Sequence, residues 1–238
     1  MGKQAVILAG GRGTRLRPYT VSLPKPLVPI GEYPILEIVI RQLASYGFSK
    51  ITLAVNHQAD IIKAFFQNGE KWAVDISYSV EDEPLSTMGP IKLVSDLPDS
   101  FLVMNGDVLS DLNYGEFLHG HDCDERLFTI SASLRKDKVD YGVLKTDGSG
   151  KLIAFEEKPE NSYLVSMGVY ALNKAVLNYI PDKTKFGFDD LMHCLLNQGQ
   201  NVSVVQHDGY WLDIGRPDDY ARAIEDSEKL DLLGGAVL

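Results

Sequence analysis

A glycine-rich segment near the start of the chain has the residue types and spacing of a phosphate-binding loop. Residues 8–16 read LAGGRGTRL and directly follow the first apolar stretch. Three glycines in four positions let the backbone approach a ligand closely, and successive N–H groups in such a loop bind anions. Arg15 adds a planar set of donors suited to phosphate. The segment lacks the Gly-Lys-Ser/Thr ending of a P-loop and the third glycine of a dinucleotide-binding motif, so it matches neither of these motifs. The alternative to a phosphate-binding loop is a plain strand-to-helix turn.

Lys25 stands between two prolines shortly after this loop, in the segment Pro-Lys-Pro-Leu. Proline fixes its own backbone and restricts the residue before it, so Lys25 is presented from a stiff segment. A lysine held in this way near a phosphate loop can neutralise phosphoryl oxygens. Taken without that loop, a solvated surface lysine between two bends is the simpler interpretation.

Two aspartates follow apolar stretches that are typical of strands. Asp107 comes just after residues 101–105, and Asp213 follows residues 210–212. Open α/β sheets bind ligands at the carboxyl edge of their strands, and a side chain placed like Asp107 is expected there. Two carboxylates from different strands can hold Mg²⁺ against substrate phosphates, which is how this ion is usually bound. The alternatives are a helix-capping role for Asp107 and a turn role for Asp213.

The elements that must position these residues alternate between strand and helix in the first half of the chain. Apolar strands are predicted at residues 4–9, 50–55, 74–79 and 101–105, and helices at 35–46, 60–66 and 87–97. Buried strands connected by helices indicate a parallel sheet covered on both faces. The predicted fold class is a three-layer, Rossmann-like α/β domain with a mixed, mostly parallel sheet.

The second half of the chain changes character, because strand patterns now follow one another directly. Strands are predicted at residues 127–134, 141–146, 151–155 and 163–172, with Asp-Gly-Ser-Gly at 147–150 as a hairpin turn. These strands predict a small antiparallel lobe. Helices return at residues 188–197 and 217–229, the latter opened by a proline. We expect one domain over residues 1–230 and a flexible tail at 231–238.

Composition and charge exclude several classes of protein. The 238 residues carry 23 basic and 33 acidic side chains, a formal net charge of -10, so nucleic acid is not an expected partner. Hydrophobic residues make up 45% of the chain, which excludes a disordered protein. Cys123 and Cys194 lie far apart without CxxC spacing and predict neither a disulfide framework nor a zinc site. Without an apolar run long enough for a signal peptide or a membrane span, we expect a cytoplasmic protein that does not bind membranes.

The motifs and their order resemble the sugar-1-phosphate nucleotidyltransferase family, over a stretch that extends to about residue 224. The family carries a Gly-Gly-x-Gly-Thr-Arg-Leu signature followed by Pro-Lys-Pro, and both are present here. Four further segments match: EPLST at 83–87, NGD at 105–107, EEKP at 156–159 and WLDIG at 211–215. So many ordered motifs at compatible spacings do not match by chance.

The resemblance implies a Mg²⁺-dependent enzyme that joins an NTP to a sugar 1-phosphate and releases pyrophosphate. The nucleotide-binding half is then about residues 1–110, and the sugar-phosphate-binding half about 111–230. Nucleotide contacts are implied at Leu8, Ala9, Gly10, Gly11, Gly13, Thr14, Arg15, Lys25, Pro84, Ser86, Thr87, Asn105 and Gly106. Sugar-phosphate contacts are implied at Gly142, Glu157, Lys158, Ser166 and Gly168. Arg15, Lys25 and Lys158 take catalytic roles, and Asp107 and Asp213 bind the metal.

Two departures from the family pattern bear on the choice of substrate. Ser86 stands where the family usually has glycine, which narrows the base pocket, and Ser166 stands where it usually has asparagine. The short chain resembles mannose- and heptose-1-phosphate guanylyltransferases, so we expect GTP and a manno-configured sugar phosphate, for surface-polysaccharide precursors. The alternatives are UTP, dTTP or CTP as donor, a cytidylyltransferase of a small alcohol phosphate, and a silent regulatory subunit. A homodimer is left open.

Overall fold

The computed structural model describes residues 2–227. Its strands are β1 (Lys3–Leu8), β2 (Pro29–Ile30), β3 (Tyr33–Pro34), β4 (Phe48–Val55), β5 (Asp75–Val80), β6 (Ser100–Asn105), β7 (Val108–Ser110), β8 (Phe128–Lys138), β9 (Val143–Thr146), β10 (Leu152–Glu156), β11 (Glu160–Asn173), β12 (Val202–Gln206) and β13 (Trp211–Asp213). Its α-helices are α1 (Ile35–Ser45), α2 (Ala59–Phe66), α3 (Tyr114–Cys123), α4 (Phe188–Asn197) and α5 (Pro217–Ser227). Short 3₁₀ helices lie at Thr14–Leu16, Lys25–Leu27, Glu70–Trp72, Gly89–Leu93 and Lys174–Tyr179.

Seven strands form the central sheet, in the order β12, β8, β11, β6, β1, β4 and β5. β1 is parallel to β4 and β6, β4 is parallel to β5, and β12 is parallel to β8. Only β11, among the strands of this sheet, runs antiparallel to its neighbours β6 and β8. The sheet is mixed and mostly parallel, which confirms the predicted fold class. The carboxyl ends of β1, β4, β5 and β6 therefore meet at one edge.

Helices cover both faces of this sheet because the central strands are apolar on both sides. On one face α1, α2 and α3 pack in a core that contains Ile7 of β1 and Met104 of β6. On the other face α4 packs against Val103 of β6 and Phe128 of β8. Three layers result, as predicted. None of the helices within residues 2–227 is long and apolar enough to cross a membrane.

A small antiparallel lobe extends from one end of the sheet. β8 and β11 continue their pairing as far as Lys138 and Glu160, and β9 and β10 form a hairpin beside them. The Asp147 carboxylate accepts hydrogen bonds from the amides of Ser149 at 2.9 Å and Lys151 at 3.0 Å, which fixes the turn of this hairpin. The predicted lobe and its hairpin turn are confirmed.

The prediction of a helix at residues 87–97 is wrong. The chain forms only the 3₁₀ helix Gly89–Leu93, because Pro90 has no N–H to donate and the amides of Met88 and Gly89 both donate to the Phe186 carbonyl at 3.0 Å. Helix α3 and strand β12 were not predicted. The helix predicted at 217–229 begins at Pro217 as expected. The predicted end of this helix and the tail predicted at 231–238 lie outside the described residues.

Candidate active site

The glycine-rich loop begins at the carboxyl edge of the central sheet, directly after β1. The Ala9 amide donates to the carbonyl of Ala54 in β4 at 2.8 Å. The Gly106 amide, just beyond β6, donates to the Leu8 carbonyl at 3.0 Å. These bonds hold the start of the loop between two neighbouring strands, where ligands of open α/β sheets bind.

Gly13 fixes the loop against the segment that carries Lys25. Its φ is 61°, and a Cβ there would lie 3.0 Å from the side chains of both Lys25 and Thr20, so this position requires glycine. Thr20 Oγ1 donates to the Gly13 carbonyl at 2.7 Å. The next turn, Thr14–Leu16, buries Leu16 and leaves the Arg15 side chain exposed. The predicted phosphate loop and the predicted lysine clamp are thus in direct contact.

A cleft of about 430 Å³, here named the first cleft, opens beside the loop. It is lined by Leu8, Gly10, Gly11, Arg12, Ala54, Asn56, Glu81, Pro84, Ser86, Thr87, Pro90, Asn105 and Asp107. Most residues of the implied base-contacting and phosphate-binding segments therefore share one cavity wall. Its volume suits a nucleotide-sized ligand.

The segment that closes the first cleft is held by α4. Ser86 has a φ of 67°, a left-handed conformation that side chains rarely adopt and that glycine adopts freely. The Thr87 hydroxyl oxygen accepts a hydrogen bond from the Phe188 amide at 2.8 Å, so one of its lone pairs is used at the start of α4. Ser86 thus lines the first cleft in a backbone conformation that glycine would adopt without strain.

A smaller recess joins the first cleft to Lys25. It is lined by Leu8, Ala9, Gly11, Lys25, Pro26, Gly106 and Asp107. The Lys25 ammonium forms an ion pair with the Asp107 carboxylate. One predicted metal ligand and one predicted phosphate clamp therefore lie in contact, beside the loop glycines.

Asp213 lies next to Asp107 because β13 pairs antiparallel with β7. Asp213 is opposite Val108, and the Ile214 amide donates to the Asp107 carbonyl at 3.0 Å. Burial raises the pKa of Asp213, and the negative charge of Asp107 raises that pKa further, whereas Lys25 and Arg15 lower it. The structure thus brings together the two aspartates that the sequence analysis assigned to a metal.

The residues at this place fit Mg²⁺ bound jointly by protein and substrate. Within residues 2–227 there is no group of three or more His, Cys, Asp or Glu side chains that could hold a metal ion by themselves. Mg²⁺ is usually bound through one or two carboxylates and substrate phosphates, with several waters retained. The pair of Asp107 and Asp213 beside the phosphate loop matches that pattern.

A second cleft, of about 570 Å³, lies at the other end of the loop, where Arg15 contributes to it. It is lined by Arg15, Ser133, Leu134, Arg135, Lys136, Trp211, Leu212, Asp213, Gly215, Arg216, Asp219 and Arg222. Because Asp107 lines the first cleft and the adjacent Asp213 lines the second, the two aspartates stand between the clefts. The arrangement can hold two anions side by side with the aspartates between them.

The residues implied to bind the sugar phosphate fall into two groups. In the lobe, a Cβ on Gly142 would lie 3.2 Å from Glu157 Oε2 and 2.6 Å from the Phe155 ring, so these positions touch. Lys158 is exposed, has a φ of 46° and forms no salt bridge with any described residue. This lobe group lines neither the first nor the second cleft.

The second group lies at the sheet edge, close to the aspartates. Gly168 has a φ of 75°, and a Cβ there would lie 2.6 Å from Asn105 Nδ2. Ser166 Oγ donates to the Tyr170 hydroxyl at 3.1 Å and accepts from the Gly168 amide at 3.3 Å. Ser166 therefore stabilises the backbone that places Gly168 against Asn105, an arrangement that reaches the first cleft.

Glu81 is a candidate functional residue that the sequence analysis missed. It is buried, it lines the first cleft, and its Oε2 accepts a hydrogen bond from the Leu85 amide at 2.8 Å. A Cβ on Gly10 would lie 3.2 Å from Glu81 Oε1, so this second oxygen lies against the glycine-rich loop where both residues line the first cleft. Burial raises the pKa of Glu81, and the Leu85 bond lowers it. The available signal was its place directly after β5, at the same sheet edge as the other motifs.

Comparison with known proteins gives the family. Residues 4–229 match the family model described as "Nucleotidyl transferase". The chain belongs to this family. The match confirms the resemblance that the ordered motifs predicted, from the phosphate loop to the segment around Asp213.

Individual relatives within this family differ in their named substrates. The chain is 33% identical to a UTP--glucose-1-phosphate uridylyltransferase of Synechocystis sp., over 93% of this chain and 62% of that protein. It is 35% identical to a mannose-1-phosphate guanyltransferase of Yarrowia lipolytica, over 91% of this chain and 62% of that protein. The chain thus spans a little under two thirds of the length of these curated relatives.

Solved structures support the same fold. The crystal structure of HddC from Yersinia pseudotuberculosis has a TM-score of 0.74 and 29% identity, covering 94% of this chain and 99% of that one. A second HddC structure, complexed with GMP-PN, has a TM-score of 0.73 and 28% identity. The fold of HddC therefore extends over 94% of this chain.

Proposed function

We propose that this protein transfers a nucleotidyl group from an NTP to a sugar 1-phosphate and releases pyrophosphate. The observation that carries the proposal is the contact of the glycine-rich loop, Lys25, Asp107 and Asp213 at one sheet edge, between two clefts. Two polyanions must meet in this reaction, and the site combines backbone N–H groups, cations and two carboxylates at the point of meeting. Family membership and the named activities of the relatives support it.

The reaction needs positioning more than proton transfer. The sugar phosphate is already anionic at neutral pH, so one of its oxygens can attack the α-phosphorus without a general base. The new O–P bond forms as the α–β phosphoanhydride bond breaks, and pyrophosphate leaves with the bonding electrons. The triphosphate is held in line by Gly11, Gly13, Arg15 and Lys25. The attacking phosphate of the sugar substrate is held by Lys158 of the antiparallel lobe. Orientation and charge neutralisation then supply the rate enhancement.

Asp107 and Asp213 are the residues that would hold Mg²⁺. When bound, the ion supplies positive charge that neutralises the reacting phosphates. Lys25 already offsets the negative charge of Asp107, which limits the repulsion between the two carboxylates. The protein thus keeps both carboxylates close together at the edge where the phosphates meet.

We further propose GTP as the donor, on the basis of Glu81. A carboxylate accepts hydrogen bonds and donates none when ionised, and guanine presents two neighbouring donors, N1–H and N2–H₂. Uracil and thymine present one donor between two acceptors, which a carboxylate oxygen meets less well. The relatives named guanyltransferases and the HddC complex with GMP-PN support this choice. A mannose- or heptose-type 1-phosphate, for surface-polysaccharide precursors, remains the proposed acceptor.

A uridylyltransferase acting on glucose 1-phosphate is the second candidate, because the Synechocystis relative is named for that activity. The test is pyrophosphate release from GTP, UTP, dTTP, CTP and ATP, each combined with mannose, glucose and heptose 1-phosphates. The proposal expects the highest kcat/KM for GTP with a manno-configured sugar phosphate. The highest value with UTP and glucose 1-phosphate would establish the second candidate. No release with any pair, by a folded protein that binds NTP, would favour a silent regulatory subunit.

A further inference from the structure

The second cleft concentrates positive charge in a chain whose formal net charge is -10. Its basic lining residues are Arg15, Arg135, Lys136, Arg216 and Arg222, and its acidic ones are Asp213 and Asp219. A local excess of positive charge in a cleft raises the local concentration of anions, although the chain as a whole repels them. The cleft is therefore a place where a small polyanion can collect.

Most of this positive charge is not neutralised by neighbouring acids. Arg15, Arg135 and Arg216 form no salt bridge with any residue in the described part of the chain. Lys136 lies 3.2 Å from Glu160, but both side chains are largely exposed, so this pair is weak. Three guanidinium groups are thus available to a ligand.

The carboxylate of Asp219 is hydrogen-bonded to the backbone that leads into α5. Its Oδ2 accepts hydrogen bonds from the amides of Gly215 at 3.2 Å and Arg216 at 2.8 Å, at the start of α5. Asp219 also forms no salt bridge with an arginine in the described part of the chain. The free cations in the cleft therefore outnumber the free carboxylates.

Arg15 makes the second cleft continuous with the phosphate loop. It belongs to the glycine-rich loop, and a Cβ on Gly215 would lie 3.5 Å from Arg15 Nη2, which places the guanidinium against the turn between β13 and α5. An anion that begins on the loop glycines can therefore extend past Arg15 towards Arg216. Arg135 of β8 lines another part of the same cleft.

We infer that the second cleft receives the β- and γ-phosphates of the NTP and holds them as pyrophosphate, with Arg135 and Arg216 as ligands beside Arg15. The inference rests on the proposed function, in which these two phosphates leave together. Pyrophosphate is a compact polyanion, and arginine offers a planar set of donors that binds two phosphate oxygens at once. Held there, pyrophosphate stays in line behind the α-phosphorus, which also serves the reverse reaction.

Calorimetric titration of the full chain with inorganic pyrophosphate, at constant ionic strength, tests this inference. The variants are Arg135→Ala and Arg216→Ala, both at exposed positions where folding is not at stake. Arg126→Ala is the matched control, because it removes an equal charge at the opposite end of β8, from a side chain paired with Asp124. We expect each cleft variant to weaken pyrophosphate binding by roughly tenfold or more, and the control to leave it unchanged. The KM for sugar 1-phosphate should stay as in the wild type.

Two outcomes overturn the inference. Unchanged pyrophosphate affinity in both cleft variants would show that the arginines do not bind it. A raised KM for sugar 1-phosphate with unchanged pyrophosphate affinity would assign the cleft to the sugar substrate. The titration needs no turnover, so its result is separate from the proposed reaction. Wild-type protein that binds pyrophosphate through these arginines but turns over no substrate pair would support the site and contradict the proposed reaction.

Discussion

Replacing Glu81 by glutamine should change which nucleotide the first cleft accepts. Glu81 Oε2 accepts a hydrogen bond from the Leu85 amide at 2.8 Å, and Oε1 lies against Gly10, which lines the same cleft. A glutamine can keep the Leu85 bond only through its amide oxygen, because the backbone N–H needs an acceptor. Its NH₂ group then faces the cleft. A donor would replace an acceptor at the position where we place the base.

The size of the effect follows from the hydrogen bonds exchanged. Guanine N1–H and N2–H₂ would meet the new donor instead of a carboxylate, and a hydrogen bond to a charged group contributes about 1.5–3 kcal/mol. At about 1.4 kcal/mol for each factor of ten, kcat/KM for GTP should fall by about 10- to 150-fold. Uracil offers a carbonyl acceptor to the same NH₂ group, so kcat/KM for UTP should hold or rise. The ratio of GTP to UTP use should therefore fall at least about tenfold.

The assay is kcat/KM for GTP, UTP, CTP and ATP on the wild type and on Glu81→Gln, with thermal unfolding as a check on the fold. Glu83→Gln is the matched control, because it makes the same chemical change on an exposed residue that does not line the first cleft. The control should match the wild type. A folded Glu81→Gln variant with an unchanged ratio of GTP to UTP use would refute the role of Glu81 in reading the base.

Three further predictions concern the phosphates, the metal and the base pocket. Asp107→Asn and Asp213→Asn should each lower turnover by orders of magnitude in millimolar Mg²⁺. In the double variant the two effects should not multiply, because either substitution alone disables the same ion. Near wild-type turnover in both single variants would contradict the assignment. Lys25→Ala should mainly raise the KM for NTP, and Lys158→Ala should mainly raise the KM for sugar 1-phosphate, in each variant by roughly tenfold or more. An unchanged dependence of the Lys158→Ala variant on sugar phosphate would favour an alcohol phosphate as the substrate. Ser86→Gly should leave the free energy of unfolding within about 1 kcal/mol of the wild type, because its φ of 67° suits glycine, and should admit a second nucleotide. If kcat/KM of Ser86→Gly matched the wild type for each of the four NTPs, residue 86 would lie outside the base pocket.

The sequence predicts the parts of the fold that periodicity and turn chemistry determine locally. The apolar strands β1, β4 and β6 have nearly the predicted bounds, and α4 has the predicted ones, because their burial patterns repeat clearly along the chain. The helix predicted at residues 87–97 failed because tertiary hydrogen bonds from this segment to Phe186 replace helical ones. A contact between positions so far apart in the chain leaves no periodic pattern in either segment.

The candidate site divides in a similar way. Motif spacing predicts the phosphate loop, Lys25, Asp107 and Asp213, which the structure brings to one edge. The role of Glu81 could not be predicted in this way, because it depends on how its two carboxylate oxygens lie against the Leu85 amide and the Gly10 backbone. Likewise, the basic second cleft combines residues of β8, the loop and α5, whose charges are scattered along the sequence.

The fate of the α-phosphate tests the central claim most directly. The protein is incubated with mannose 1-phosphate, Mg²⁺ and GTP that is labelled either at the α- or at the γ-phosphorus. The account predicts that the α-label appears in a product that also carries the sugar, that the γ-label appears in pyrophosphate, and that Asp213→Asn abolishes both. Release of the γ-label as inorganic phosphate, or an α-label that never joins a sugar with any NTP and sugar 1-phosphate, would contradict the account.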